Sequence, residues 1–147
     1  MKKSLIALFE RDIKKVIKEL NLYQNEANIW KTEGNISNSA GNLALHLIGN
    51  LNTYIGKEIG KTNYVRHRDL EFSLKNVPRE EIVSQLEETL IIVKDALENL
   101  TEQDYLNEYP VLVFEEKTNY EYFLIHLTTH LGYHLGQINY HRRLIDV

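Results

Sequence analysis

Apolar residues return at helical intervals through most of this chain, and little interrupts them. Ile82, Leu86, Leu90, Val93, Leu97 and Leu100 are separated by four, four, three, four and three residues. That spacing puts all six side chains on one side of an α-helix, which turns every 3.6 residues. Leu5, Phe9, Ile13, Val16 and Leu20 form a similar stripe over about residues 3–24, with Lys14, Lys15, Lys18 and Glu19 opposite. A second helix is expected over about 38–59 from Leu43, Leu47, Leu51, Tyr54 and Ile55. Ser37, Asn38 and Ser39 offer caps for it, and Gly60 is placed to stop it. The third helix starts near Pro78, whose fixed φ suits a first turn, and Glu80 and Glu81 favour its positive end. Thr118 and Glu121 have the spacing of a capping box that opens a fourth helix over about 119–144. Pro78 and Pro110 are the only prolines, so the helices can run long.

The connections constrain how these helices are arranged. Residues 60–76 show no sustained period and read as a long loop. A helix of 22 residues is roughly 33 Å long, and 17 extended residues reach roughly 56–60 Å. This loop can therefore cross the molecule and start the third helix parallel to the second. Residues 101–117 read as a turn followed by an extended piece, Val111-Leu112-Val113-Phe114, forming a small hairpin arm. The expectation is an all-α, single-domain four-helix bundle over 1–147 with a long crossover between helices 2 and 3.

Composition narrows the function. The net charge is −4 and the basic runs are pairs, Lys2-Lys3, Lys14-Lys15 and Arg142-Arg143. That balance argues against nucleic acid as a partner. With no cysteine, disulfides, thiolate ligands and cysteine nucleophiles are excluded. The N-terminal apolar run is too short for a signal peptide, and no run is long enough to span a bilayer. A soluble, cytoplasmic protein with no membrane partner is expected.

Four of the six histidines, His126, His130, His134 and His141, fall within about an 80° arc of the last helix. Leu127, Leu131, Ile138 and Leu144 lie along or beside that stripe, so it runs near the buried side. Imidazoles at i and i+4 project together and can share one metal ion. His46, set among Leu43, Ala44, Leu45, Leu47 and Ile48, can supply a third ligand across the bundle. A lone His46 would more often be a hydrogen-bonded core residue, and one HxxxH on a helix is a weak signal. Three imidazoles would leave positions for water or substrate, the layout of a catalytic site.

The segment Leu45-His46-Leu47-Ile48-Gly49-Asn50-Leu51 resembles the second-helix histidine segment of DinB-like proteins. Thr129-His130-Leu131-Gly132-Tyr133-His134-Leu135-Gly136-Gln137-Ile138 resembles their last-helix segment. Arg68-Asp69-Leu70-Glu71-Phe72 looks like the loop motif of one branch, and the likeness covers nearly the whole chain. The resemblance implies an up-down-down-up bundle with a site for a divalent ion such as nickel, zinc or iron. Its ligands map onto His46, His130 and His134. The family includes metal-dependent transferases and isomerases that use low-molecular-weight thiols, so a small thiol is the expected substrate class.

Other residues are candidates for supporting roles. Asn50, one turn after His46, could hydrogen-bond a group at the metal or serve as a structural amide. His126, Tyr133 and Gln137 could support the ligands or simply pack. Arg66 and Arg68 could guide an anionic substrate or form salt links with Asp69 or Glu71. Gly132 and Gly136 would admit a neighbouring helix or leave room above the metal. His141 is about 16 Å along the axis from His130, too far to join it, and His67 reads as solvated. No acidic residue accompanies the last-helix histidines, which argues against an HExxH metalloprotease. The two functional readings are a metal-dependent thiol S-transferase or related enzyme, and a non-catalytic metal-binding, stress-associated interaction or sensor bundle. Nine tyrosines and long helical faces make a homodimer plausible.

Overall fold

The computed structural model describes all 147 residues, and helix dominates it. Six α-helices follow in order: α1 Lys2–Leu22, α2 Ala40–Leu51, α3 Arg68–Ser73, α4 Arg79–Glu98, α5 Glu102–Leu106 and α6 Tyr120–Ile145. A 3₁₀ turn, Glu26–Trp30, lies between α1 and α2. A π-helical turn, Asn52–Lys57, continues α2 without a break. There is no β-strand, and no helix is long and apolar enough to cross a membrane.

α1 packs against α4 and α6, and α2 packs against the same two helices as well as α3. The stripes read from the sequence meet inside. Phe9, Ile13, Val16 and Leu20 of α1, Ile82, Val93 and Leu97 of α4, and Leu124 and Ile138 of α6 are fully buried. Each such side chain contributes about 1.5–3 kcal/mol by leaving water. Polar clamps fix the ends. Arg79 donates to the Leu20 and Tyr23 carbonyls at the close of α1 (3.0 and 2.7 Å). Asp146, just past α6, accepts from Gln24 N, Asn25 N and Asn28 Nδ2.

Several boundaries differ from the expectation, each for a local reason. Residues 60–76 are not all loop, because Arg68–Ser73 form α3. Gly60 does not end the second helix by a left-handed turn; Lys61 takes that conformation at φ 58°. Gly60 matters instead for closeness, since a Cβ there would lie 2.8 Å from the Gly56 carbonyl and 3.2 Å from Ala96. The hairpin arm does not form. Residues 101–117 begin with α5, capped reciprocally by Thr101 and Asp104, and one bridge, Glu108 to Asn119, is the sole β contact. Pro110 removes a donor and Leu112 is mostly exposed, so Val111–Phe114 forms no ladder; Val111 and Phe114 pack against the core from irregular chain instead. The cap of α6 is Asn119, whose side chain accepts from Tyr122 N, and not Thr118.

Candidate metal centre

α2 is apolar on every side and is buried at all of its positions from Ala40 to Leu51. A helix of that kind must sit in the interior, and it carries His46 inward with 7% of its surface exposed. A buried imidazole needs a partner for each polar nitrogen. α3 supplies one: Glu71 Oε1 lies 3.0 Å from His46 Nδ1. Glu71 is 6% exposed and is also held by Arg66, through Nε to Oε2 at 2.8 Å and a second guanidinium nitrogen to Oε1 at 3.0 Å. Burial works to raise the Glu71 carboxyl, but the hydrogen bonds from His46 and Arg66 outweigh it and hold the group below its ordinary value. Because an ionised carboxylate only accepts, the proton of His46 is on Nδ1, leaving the Nε2 lone pair free.

Gly49 makes this arrangement possible. A methyl group at that position would collide with the Glu71 carboxylate. The glycine one turn beyond His46 therefore opens the slot through which α3 reaches α2.

On α6, His130 and His134 stand one turn apart and bring their Nε2 atoms within 3.1 Å of each other. His46 Nε2 approaches His130 Nε2 to 3.2 Å. The ligand atoms of all three residues lie within 4.8 Å, and the rings are steeply inclined to one another, at 74°, 89° and 90°. His134 Nδ1 donates to Gln137 Oε1 at 2.7 Å, so its Nε2 also presents a lone pair. One proton on His130 Nε2 can serve only one of its two neighbours. A cation at the common point would serve all three nitrogens.

The donor set fits a divalent transition ion. Two nitrogens each about 2.0–2.1 Å from a tetrahedral ion stand about 3.3 Å apart, near the 3.1 and 3.2 Å observed. Burial, with the nearby His134 and His46 acting in the same sense, pushes His130 down to about 4. Burial also lowers His134, opposed by its hydrogen bond to Gln137. Both are thus neutral near pH 7, the state a ligand needs. Glu71 and Gln137 hold two rings in orientation from behind, as such partners do at histidine metal sites.

Two cavities adjoin the cluster. One, of about 190 Å³, is bounded by His46 and His130 together with Asn50, Arg66, Arg68 and His126. The other, of about 470 Å³, lies beside His134 and Gln137 and reaches Tyr133, Tyr140 and Asn38.

The remaining sequence candidates divide. Gln137 contacts a cluster histidine directly. Asn50 is 7% exposed, and its Oδ1 has no hydrogen-bond partner. His126 does not join the three; its ring is 6.3 Å from that of His130 and packs edge-on against Phe114 at 4.7 Å. Tyr133 is 66% exposed and meets His134 by ring contact alone. Arg66 is committed to Glu71, while Arg68 rests over the Phe72 ring. His141 lies outside the cluster, accepting from Tyr23 OH (2.6 Å) and donating to the Lys31 carbonyl (2.7 Å). Gly132 and Gly136 admit no neighbouring helix. A Cβ at Gly136 would touch nothing, and one at Gly132 would meet only Asp12 Oδ2 at 3.9 Å. They line a groove toward Lys15 and Glu19 of α1.

Glu71 is the site residue that sequence reasoning missed. From the sequence it reads only as one end of a salt link with Arg66 or Arg68. The available signal was Gly49, one turn after His46 and set among Leu47, Ile48 and Leu51.

No curated protein matches the chain. A family model described as "Protein of unknown function (DUF1572)" matches residues 2–146. That span contains α1 through α6, all three histidines and Glu71, and the chain belongs to the DUF1572 family.

Proposed function

We propose that His46, His130 and His134 hold one divalent transition ion and that the chain is a metal-dependent enzyme whose nucleophile is a small thiol. The convergence of three Nε2 atoms beside two cavities carries this reading. Three imidazoles leave coordination positions open, as in catalytic centres. Nickel, zinc and iron all suit such ligands. When bound, an ion of this kind lowers the pKa of a water or thiol beside it.

The chain's own residues supply the rest. Glu71 holds His46 in the tautomer that offers Nε2, Gln137 does the same for His134, and Arg66 fixes Glu71. Apolar walls from Phe123, Leu127 and Val113 limit water on the Asn50 side. In the proposed S-transfer, sulfur forms a bond to an electrophilic carbon. The bond from that carbon to its leaving atom breaks with the electron pair going to the leaving atom; with an epoxide this is the ring oxygen, which stays on the product and takes a proton from solvent while the thiol proton passes to solvent. We read the family as a DinB-like branch and the fold as an up-down-down-up four-helix bundle. The support is that α1 and α2 each pack against both α4 and α6.

Chelator-treated protein and protein reloaded with zinc, nickel or iron should be assayed with cysteine as thiol and an epoxide as electrophile. Turnover that requires the ion, and that disappears when all three histidines are alanine, supports the enzyme. An ion that raises the melting temperature without turnover across a panel of thiols and electrophiles would favour a non-catalytic, metal-binding or sensing bundle instead.

A further inference from the structure

The cavity of about 190 Å³ between α2 and α6 has a polar inventory that the histidine cluster does not use. Asn50 is more than nine-tenths buried, yet its side chain makes no hydrogen bond and its Oδ1 is enclosed without a partner. His130 Nδ1, the nitrogen turned away from the cluster, is likewise buried without a partner. Unpaired buried polar groups are costly, and a native fold keeps few of them. Both belong to residues lining the same space.

The charge of the lining has one sign. Arg66 and Arg68 border the cavity, and no aspartate or glutamate does. Arg66 is neutralised by Glu71 from behind. Arg68 takes part in none of the chain's ion pairs. The uncompensated guanidinium of Arg68 and the free amide of Asn50 thus belong to residues lining a space walled by Phe123, Leu127 and Val113. At about 30 Å³ per water, the volume equals roughly six waters.

We propose that this cavity is a subsite for a small carboxylate, with the Arg68 guanidinium and the NH2 group of Asn50 donating to the carboxylate oxygens and the apolar wall receiving a short carbon chain. A guanidinium matches a planar carboxylate by two parallel hydrogen bonds, and the amide of Asn50 offers further N–H donors. A single free cation suits a monoanion better than a phosphate. The subsite adjoins the histidines but does not depend on an ion among them.

Propionate, propionamide and inorganic phosphate can be titrated into chelator-treated and zinc-loaded protein and followed by NMR. Propionate is expected to bind about tenfold more tightly than propionamide or phosphate in both forms. Arg68→Gln should abolish that preference, and because Arg68 is exposed the variant retains the fold. Asn50→Leu, checked for an intact melt, should weaken propionate in the same direction. Equal binding of acid and amide would overturn the proposal, as would phosphate binding as tightly as propionate. Propionate binding that needs zinc and ignores Arg68→Gln would also overturn it, because the carboxylate would then be on the ion. If the protein takes up no zinc but keeps an Arg68-dependent preference, the subsite stands and the metal reading falls.

Discussion

α4 and α2 are both packed into the interior, yet they treat polar residues in opposite ways. α4 buries Ile82, Leu86, Thr89, Val93, Ala96 and Leu97 along one face and turns Glu80, Glu81, Glu87 and Glu88 to solvent. Water satisfies whatever that outer face carries. α2 has no outer face, so each polar side chain on it must find a protein partner or remain unpaired. Asn42 donates to the Glu71 and Leu74 carbonyls. His46 has Glu71. Asn52, in the π-helical continuation, donates to the Ile48 carbonyl and Thr89 Oγ1. Asn50 has nothing and faces a cavity. In a helix buried all round, an unpaired polar residue points to a task, whereas on an amphipathic helix it would point only to solvent.

The contrast is tested most severely by truncation. Leu47→Ala in α2, at a fully buried position, should cost about 2–5 kcal/mol in denaturant unfolding. Ile91→Ala on the exposed face of α4 should stay within about 0.5 kcal/mol. Similar losses would mean that the two helices are not so different.

A finer comparison sets Asn52→Leu against Asn50→Leu. The first removes two satisfied side-chain hydrogen bonds, to the Ile48 carbonyl and to Thr89 Oγ1, at a cost of about 1–3 kcal/mol. The second removes an amide without a partner and should leave metal-free protein as stable as before or about 1 kcal/mol more so. Equal destabilisation by both would show that Asn50 is an ordinary structural amide.

The pH dependence of metal-free protein sharpens the same picture. His130 is lowered to about 4 by burial and by its neighbouring histidines, and burial also lowers His126, His134 and His141. The unfolded chain therefore takes up these protons first. The stability from neutral histidines is complete above about pH 6.5 and is lost as pH falls toward about 4. At the partly exposed His130 site, screening reduces the loss to about 1 kcal/mol. Thermal melts at pH 7.5 and 5 check this, and a melting point that does not fall would contradict it. The smallest change expected is Gly136→Ala on α6, where the open space and the helical backbone favour alanine by about 0.4–1 kcal/mol in chemical denaturation.

The sequence revealed most where one residue carried its own periodic message. The stripes of α1 and α4 were readable because their partners are spread evenly along a face, and the histidines of α6 because i and i+4 lie on one side of any helix. α3 and α5 were not readable. α3 is six residues long and buries only Glu71, so it has no apolar period to detect. α5 announces itself only through Thr101 and Asp104. The Asn119 cap displaced the expected Thr118 box because the choice between adjacent cap residues depends on where the chain enters, here beside the bridge to Glu108. The contact between Glu71 and His46 joins residues 25 apart through a gap left by Gly49, and the glycine marks the gap without naming the side chain that fills it.

The central claim is that three imidazoles on α2 and α6 share one ion. Protein stripped by chelator, reloaded with zinc and desalted should retain one ion per chain by elemental analysis. The variant with His46, His130 and His134 all replaced by alanine should retain none while keeping its helical circular dichroism. Equal zinc in the two proteins, or none in either, would contradict the account.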